Sequence, residues 1–359
     1  MSETRGEQLD TLSTVALQCP APLPPGPAVT LAHGSGGRLT HELIRDVLVP
    51  AVGANPELSR LGDAAVIPLP GGERLALSID GFVVQPAFFP GADIGELAVN
   101  GTVNDLAMMG AEPLALSAAL ILEDGLPIER LRTVMASMSA ACERAGISLV
   151  AGDTKVVERG AADGLYVTTS GIGLIPDGVE VGPERCRIGD RILVTGPIAS
   201  HGVAVMSRRA GISFEGDIRS DTAPLTGVAR AMLDAGRVHC LRDATRGGLA
   251  TVLNELAEAS GVSMTITGSL VPVLAPVRAA CEMLGLDPLY VANEGVAVAV
   301  VAPEDATAVL AAARSQPEGA SAALIGEVGE PPIVVHSRSG LGVMRPLIML
   351  TGEQLPRIC

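Results

Sequence analysis

Strand-like and helix-like segments alternate along most of this chain, with Gly- and Pro-rich stretches between them. Apolar residues at helical spacing predict a helix over 127–146, and the apolar runs at 114–122 and 147–151 predict strands on either side of it. The alternation is interrupted at 178–189, a Gly- and Pro-punctuated stretch typical of a linker. The pattern predicts an α/β (α+β) protein with two domains and mixed strands.

We divide the chain into four parts. These are a Pro-rich leader at 1–30, an N-terminal domain at 31–177, a C-terminal domain at 178–345 and a mobile tail at 346–359. The leader contains PAPLPPGP at 20–27, a stiff and irregular stretch rather than a core element. Two domains also suit a length of 359 residues.

Charge and cysteine content exclude several classes of function. The net charge is -15 without a basic patch, which argues against nucleic acid and anionic membranes as partners. The six cysteines form no CxxC pair, which indicates free thiols in a reducing cytoplasm. The N-terminus lacks an apolar signal core and the apolar runs are too short to span a bilayer, so we expect a cytoplasmic protein.

The chain ends in a thiol, Cys359. Pro356 neither continues a helix nor donates to a strand ladder, so the last residues are predicted to form an extended arm. A thiol at the tip of such an arm can carry a covalently bound group into a distant pocket. The alternative is that Cys359 is simply the last of six cysteines.

Two short stretches of the N-terminal domain resemble phosphate sites. The sequence HGSGG places Gly34, Gly36 and Gly37 where backbone N–H groups can approach an anion, although most glycine clusters are turns. The other stretch, GDTK at 152–155, ends in Lys155, while the other 24 basic side chains are Arg. We favour a functional Lys155 over a chance remnant of an Arg-rich composition.

Four aspartates lie at the ends of elements or in polar interruptions of the same domain: Asp63, Asp80, Asp105 and Asp153. Carboxylate oxygens without a His/Cys cluster favour Mg²⁺. Together with Lys155 and the glycine loop, they predict a site for ATP and metal. The helix predicted at 91–110 adds a polar stripe that includes Asn104, for which the alternative is a solvated face.

The C-terminal domain contributes two further candidates. Asp243, Thr245 and Arg246 precede a Gly pair that opens a helix, an arrangement that suits an anion or substrate. Glu294 interrupts the apolar run 289–301, so we expect partial desolvation, a raised pKa and a role in proton transfer. The alternative for Glu294 is an ordinary turn residue.

Eight motifs taken in order resemble one known family. They are HGSGG at His33, GDAAV at Gly62, SIDG at Ser78, NGTVNDLAMMGA at Asn100, AGDTKVV at Ala151, DATRGGL at Asp243, NEG at Asn293 and the terminal PRIC at Pro356. They are similar to those of the HypE family of [NiFe]-hydrogenase maturation factors, from Leu31 to Cys359. The internal motifs also fit the wider group of ATP-dependent enzymes that includes aminoimidazole ribonucleotide synthetase, and the PRIC ending distinguishes HypE.

The resemblance implies a PurM/AIR synthetase-like fold, a homodimer joined through the N-terminal sheets, and a reaction on the protein's own tail. A carbamoyltransferase, HypF, loads the Cys359 thiol, ATP with Mg²⁺ drives dehydration of the carbamoyl group to a thiocyanate, and the cyano group passes to iron on the HypC–HypD complex. In this interpretation Cys359, Glu294 and Lys155 are catalytic. The ATP-binding residues would be Gly34, Gly36, Gly37, Asp80, Asn104, Asp105, Asp153 and Thr154, and the metal ligands Asp63, Asp80, Asp105 and Asp153.

Two roles in the arm and two other functions complete the hypotheses. Ile358 would seal the site against water, and Arg357 would position the arm. A relative acting on a diffusible substrate, such as a selenophosphate synthetase, would be expected to carry a reactive Cys and Lys near the glycine loop, whereas this loop has no Lys and Cys19 lies in the leader. A non-enzymatic scaffold that presents Cys359 would not need the acidic residues.

Overall fold

The computed structural model describes residues 28–53, 55–212, 214, 216–351 and 357–359. Most of the leader, including Cys19, and Pro356 of the tail lie outside the described residues. Within the described ranges, no helix combines the length and the apolar character needed to cross a bilayer.

The first half of the chain forms a five-stranded mixed sheet in the order β1-β2-β7-β5-β6, and a two-stranded hairpin, β3-β4. The strands are β1 (Ala65–Pro68), β2 (Arg74–Phe82), β3 (Phe88–Phe89), β4 (Ala92–Asp93), β5 (Glu112–Glu123), β6 (Ser148–Val157) and β7 (Leu165–Ile175). The helices are α1 (Arg38–Leu43), α2 (Val49–Ala51), α3 (Pro56–Ser59), α4 (Ile94–Met108) and α5 (Ile128–Ala145). A 3-10 turn at Leu31–Gly34 precedes α1, and a π-helical segment at Ile44–Leu48 joins α1 to α2.

Helix α4 lies at the centre of the molecule. It begins at Asp93, whose side chain accepts hydrogen bonds from the N–H groups of Gly95 and Glu96, and Ser137 of α5 donates to the same carboxylate at 2.5 Å. Helix α4 packs on β2 and β7 on one side and contacts elements of the second domain on the other. It is almost entirely buried as a result, so its apolar residues do not form a single stripe.

The second half forms a seven-stranded sheet in the order β14-β13-β10-β12-β8-β11-β9. The strands are β8 (Arg191–Val194), β9 (Val238–Asp243), β10 (Ser263–Thr267), β11 (Ala297–Val301), β12 (Ala323–Gly329), β13 (Val335–Arg338) and β14 (Met344–Pro346). The helices are α6 (Ser200–Ala210), α7 (Thr226–Ala235), α8 (Gly248–Ser260), α9 (Ala275–Leu284) and α10 (Ala306–Arg314). Short 3-10 turns lie at Pro183–Arg185, Gly268–Leu270, Pro288–Tyr290 and Pro317–Gly319.

The two sheets meet through α4 and β9. Strand β9 is the last strand of the second sheet, and it contacts α4 of the first domain. Next to it, all five residues of β11 are buried, as expected for an uninterrupted AVAVV run inside a sheet. This junction brings residues of both domains to one cleft. The predicted stretch at 178–189 contains the 3-10 turn and no strand, and it separates the two sheets.

Candidate active site

Three aspartates from distant parts of the chain form a carboxylate cluster. Asp63 precedes β1, Asp105 lies on α4 and Asp243 ends β9, and one ligand oxygen of each lies within 4.8 Å of the others. The Ser78 hydroxyl on β2 donates to Asp105 at 2.5 Å, and Asp80 lines the same cavity. The sequence assigned Asp243 to an anion site with Thr245 and Arg246, whereas the structure places its carboxylate among the other aspartates.

Burial and mutual repulsion raise the pKa of the three clustered carboxyls, those of Asp63, Asp105 and Asp243. The pKa of Asp63 rises to about 6, chiefly through burial and against the attraction of Arg242. Burial, followed by the neighbouring carboxylates, holds the pKa of both Asp105 and Asp243 well above the usual range. A set of oxygen donors that repel one another fits a hard divalent cation such as Mg²⁺, because the cation would neutralise that repulsion.

Two arginines of β9 and the following loop supply positive charge beside the cluster. Arg242 lies with its Nε 2.9 Å from Asp63 and donates to Glu255 at 3.0 Å, so it is held by two carboxylates. Arg246 lines the same cavity as Cys359 and Asp80 and lies close to both. Of the two arginines, Arg246 is therefore the one beside the end of the tail.

The cluster opens into a cavity of about 230 Å³ that both domains line. Its walls combine the three aspartates of the carboxylate cluster and Asp80 with Thr245, Arg246, Glu294 and Cys359. A second cavity of about 440 Å³ adjoins it and shares Gly36, Thr40, Ile44, Arg242 and Glu255. Together the two have the size and mixed polarity of a site for a small ligand with a charged end.

The glycine loop packs against the loop that follows β9. Gly36 has a φ of +77°, and a Cβ there would lie 2.4 Å from the Arg246 Cβ, so a side chain would collide. Arg246 Nη1 donates to the Gly34 carbonyl at 3.4 Å. The Gly36 N–H already donates to Thr40 Oγ1 at 3.0 Å, so this group is not directed at an anion. The structure thus shows a contact role for Gly36, and anion binding by Gly34, Gly36 and Gly37 stays a prediction.

Glu294 lies inside the cavity. It is 4% exposed, and its Oε1 has no hydrogen-bond partner within the described part of the chain. Burial, followed by the charges of Asp243 and Asp80, holds the pKa of Glu294 well above its usual range. A buried carboxyl with one unpartnered oxygen inside a cavity is suited to exchange a proton with a group bound there.

The end of the tail is docked next to the first domain. The Gln85 N–H donates to the Arg357 carbonyl at 3.2 Å and the Val83 N–H donates to Cys359 O at 3.1 Å, which is a strand-like pairing beyond the end of β2. Ile358 is 2% exposed, and Cys359 lines the cavity. Burial raises the pKa of the Cys359 thiol, so the docked thiol is neutral.

Three predicted residues lie outside this cleft. Asp153, Thr154 and Lys155 are on β6, the exposed edge strand, where Lys155 Nζ donates to Asp153 at 2.6 Å. Asp80 and Gly152 are three strands apart in the sheet register, about 14 Å at the usual strand spacing. Asp153 lies beside Ala119 on the exposed side, whereas Ala118 faces the core. Within one chain, Asp153 and Lys155 therefore do not join the aspartate cluster.

Asn104 also has a different environment from the one predicted for an ATP ligand. It is 1% exposed, its amide donates to the carbonyls of Ala223 and Glu294 at 3.0 and 3.3 Å, and its oxygen accepts from the Leu225 N–H at 2.7 Å. These bonds engage both ends of the amide in joining α4 to the second domain. The polar stripe of α4 is thus neither a solvated face nor, at Asn104, open to a nucleotide.

Three residues in or beside the cavity were not predicted from the sequence: Arg242, His201 and Asp221. Arg242 directly precedes the Asp243 motif, and a charged residue at the end of a buried strand could have indicated a buried ion pair there. His201 and Asp221 carry no such signal, because only tertiary contacts bring them to the tail and to Glu294.

The family models that match this chain identify the class of protein to which it belongs. Residues 61–175 match the AIR synthase related protein N-terminal domain, and residues 187–337 match the corresponding C-terminal domain. The fold and its interdomain cleft thus define a two-domain protein of the AIR synthase related class, as predicted.

More similar relatives narrow the class to one family. Carbamoyl dehydratase HypE of Azotobacter vinelandii is 48% identical over 334 residues, which covers 92% of this chain and 97% of the relative. A crystal structure of HypE with ATP is 46% identical, with a TM-score of 0.78, and covers 92% of this chain and 100% of its own. A HypE–HypF complex is 42% identical, with a TM-score of 0.82, and covers 86% and 99% respectively. The chain belongs to the HypE family, which confirms at family level the predicted carbamoyl dehydratase of hydrogenase maturation.

Proposed function

We propose that this protein uses ATP to dehydrate a carbamoyl group carried on its own Cys359 thiol. The observation that carries the proposal is the position of Cys359. The thiol lines a cavity that also contains the carboxylate cluster, Arg246 and the partly unpartnered carboxyl of Glu294. A substrate thiol, a metal site and a proton acceptor are therefore within one enclosed space.

The reaction balances in two steps. The carbamoyl oxygen of the Cys359 thiocarbamate attacks the γ-phosphorus of ATP, ADP leaves, and the carbamoyl nitrogen loses its first proton to give an S-imidate phosphate. The carbon–oxygen bond then breaks, inorganic phosphate leaves with the former carbamoyl oxygen, and loss of the second N–H proton leaves a thiocyanate. Phosphorylation is needed because an amide oxygen is otherwise a poor leaving group.

Each group of the cavity has a place in this scheme. Mg²⁺ held by Asp63, Asp105 and Asp243 would neutralise charge on the transferring phosphoryl group. Arg246, which lines the same cavity as Asp80 and Cys359, orients the tail-borne group and adds positive charge beside it. The carboxylate form of Glu294 accepts the first N–H proton through its unpartnered oxygen, and the departing phosphate takes the second.

The docked tail also excludes water. Ile358 is buried next to Cys359, which lines the cavity, and would act as an apolar seal. Arg357 holds the arm by pairing with Asp163, by donating from Nε to the Val83 carbonyl at 3.1 Å, and by lying over the Tyr166 ring at 5.7 Å. Exclusion of water favours dehydration over hydrolysis of the phosphorylated intermediate.

A second copy of the chain would bring β6 into the reaction. The outer side of the N-terminal sheet exposes apolar side chains, including Ile79 at 72% and Ile121 at 38%, and β6 leaves one strand edge unpaired. A homodimer through this surface would cover those groups and place Asp153 and Lys155 against the other subunit. We assign Lys155 to the phosphate or substrate at that shared site.

The other partners follow from the reaction. A carbamoyltransferase must load the thiol, and the relative crystallised with HypF supports HypF as that enzyme. The thiocyanate must then be delivered to iron, for which we propose the HypC–HypD complex. We propose that these steps take place in the cytoplasm.

The test follows the carbamoyl oxygen. HypF loads the protein from carbamoyl phosphate whose carbamoyl oxygen is labelled with heavy oxygen. The loaded protein is separated from excess donor and then supplied with ATP and Mg²⁺. Intact mass of the C-terminal peptide should show the gain of a carbamoyl group and then the loss of one water, and the label should appear in inorganic phosphate. Cys359→Ser should abolish both mass changes, while Cys281→Ser, which changes a buried cysteine on α9, should not. Label remaining on the peptide, or nitrile formation without ATP, would contradict the proposal.

A further inference from the structure

We propose that His201 is the positioning residue that sets the register of the docked tail, so that the group on Cys359 faces Glu294. This inference rests on the proposed function and assigns a role to a second-domain residue outside the acidic cluster. His201 lies in the first turn of α6 and is fully buried. Its Nε2 is 2.8 Å from the Ile358 carbonyl oxygen, one residue before the thiol.

The tautomer of His201 follows from its neighbours. A carbonyl oxygen accepts and cannot donate, so Nε2 must carry the proton and donate to Ile358. Nδ1, 2.8 Å from Ser220 Oγ, must then accept the hydroxyl proton of Ser220. The Ser220 hydroxyl in turn accepts the Thr222 N–H at 3.1 Å. The hydrogen bonds therefore run in one direction, from Thr222 through Ser220 and His201 to the tail.

Packing holds the imidazole in this orientation. The Phe89 ring contacts it edge-on, with centroids 5.4 Å apart and planes at 88°. Burial lowers the pKa of His201 to about 4, so the ring remains neutral at neutral pH and keeps Nδ1 as an acceptor. A side chain with both its plane and its tautomer determined is suited to positioning rather than to proton transfer.

The same segment also supports Glu294. Asp221, between Ser220 and Thr222, accepts the Glu294 N–H on Oδ1 at 2.8 Å, and the His201 backbone N–H also favours the Asp221 carboxylate. Ser220, which bonds to the His201 ring that holds the tail carbonyl, and Asp221, which holds the Glu294 backbone, are therefore adjacent residues. Displacement of His201 or of Asp221 changes the distance between the tail-borne group and the Glu294 carboxyl.

Other contacts to the tail act further from the thiol. Arg209 Nη2 donates to the Arg357 carbonyl at 2.9 Å, and Arg209 Nε donates to the Gln85 carbonyl at 2.8 Å, so Arg209 fastens the base of the docked segment to the first domain. His201 instead holds the peptide group that joins Ile358 to Cys359. Loss of the His201 bond should thus leave the tail attached but with its tip misplaced.

Four variants test this role: His201→Leu removes the donor, His201→Gln replaces it with an amide N–H, Ser220→Ala removes the partner that fixes the tautomer, and His336→Gln on β13 is the control. Each is loaded by HypF, and the single-turnover rate of nitrile formation is measured at saturating ATP. Rapid alkylation of unloaded Cys359, read on the terminal peptide, reports tail docking. Melting temperatures report folding.

We expect loading to be unchanged in all four. His201→Leu should slow nitrile formation by about tenfold or more and speed alkylation, because small misplacements at a reacting centre are costly. Ser220→Ala should give a smaller change in the same direction, and His201→Gln and His336→Gln should resemble wild type. Wild-type rates for both His201→Leu and Ser220→Ala would overturn the inference, as would a folded His201→Gln variant as slow as His201→Leu.

If His201→Leu does not fold, Ser220→Ala decides the question, and an unchanged rate and alkylation in that variant overturn the inference. Failure of the proposed function looks different. In that case the wild-type protein itself would yield no ATP-dependent nitrile, whereas failure of the positioning role leaves wild-type turnover intact.

Discussion

Arg242 Nε lies 2.9 Å from Asp63 Oδ1, and this ion pair joins the end of β9 in the second domain to the loop before β1 in the first. Arg242 also donates to the Leu61 carbonyl at 2.9 Å and to Glu255 at 3.0 Å. A guanidinium with three partners in a low-exposure position fixes the relation between the domains more firmly than a surface pair would.

Arg242→Met should therefore destabilise the protein by about 3–5 kcal/mol, because it leaves the partly buried carboxylates of Asp63 and Glu255 unpaired. The measurement is the free energy of unfolding by urea at neutral pH. Arg191→Met is the matched control, since Arg191 pairs with Glu327 on the surface and its loss should cost less than about 1 kcal/mol. Equal effects of the two variants would contradict the structural role of Arg242.

Asp105→Asn should separate stability from activity. Burial and neighbouring carboxylates raise the pKa of Asp105, so an ionisable carboxyl at this position opposes folding, and its replacement by a neutral amide should stabilise the metal-free protein. ATP turnover in Mg²⁺ should fall by about 100-fold. Urea unfolding in chelator and ATPase assays measure the two effects, with the exposed Asp177→Asn as control. A destabilised metal-free variant would argue against repulsion within the cluster.

Alkylation of Cys359 should proceed through undocked tails. Burial raises the pKa of the docked thiol, so at pH 7–8 the docked form lacks the reactive thiolate, and the thiol must leave the cavity to be loaded. Arg357→Ala removes the Asp163 pairing and should speed alkylation by about tenfold relative to wild type. Mass spectrometry of the terminal peptide gives the rate, and Arg338→Ala on β13 should have no effect. Equal rates in all three proteins would show that the thiol is reactive while docked.

Lys155 should act on the tail of the other subunit. Ile79→Asp should shift the protein toward monomers in sedimentation experiments and abolish turnover, because it places a charge on the exposed sheet surface, whereas Leu270→Asp in the second domain should do neither. Lys155→Ala and Cys359→Ser, each inactive alone, should restore activity when mixed and allowed to exchange subunits. No restoration in verified mixed dimers would mean that Lys155 does not act across the interface.

The pH dependence of stability should reveal the buried His201. Its pKa falls from 6.5 to about 4 on folding, so between these values the unfolded chain binds a proton that the folded protein does not. Stability is therefore fully present above pH 6.5 and decreases as the pH falls toward 4, by about 3 kcal/mol in total. The difference in unfolding free energy between wild type and His201→Gln isolates this contribution from that of Asp221, whose pKa burial raises to about 7. A difference that is independent of pH would contradict it.

Local signals in the sequence predicted much of the fold. The helix expected at 127–146 is α5 (Ile128–Ala145), and the one expected at 91–110 is α4 (Ile94–Met108). Glycine turns, periodic apolar residues and capping groups act over a few residues, so they are readable from sequence. Strand β14 (Met344–Pro346) was not predicted, because a three-residue exposed strand has little periodicity of its own.

The sequence by itself determined which residues are available for the proposed chemistry: the terminal thiol, the acidic residues and Glu294 at the start of an apolar strand. Tertiary structure decided which of them meet. In the folded protein Asp243 lies in the carboxylate cluster, and Asn104 is hydrogen-bonded to the second domain. Asp153 and Lys155 lie on the opposite side of the sheet from Asp80. Side chains alternate between the two faces of a strand, and sheet order sets how many strands separate two residues, so their meeting depends on pairing across the whole fold rather than on spacing along the chain.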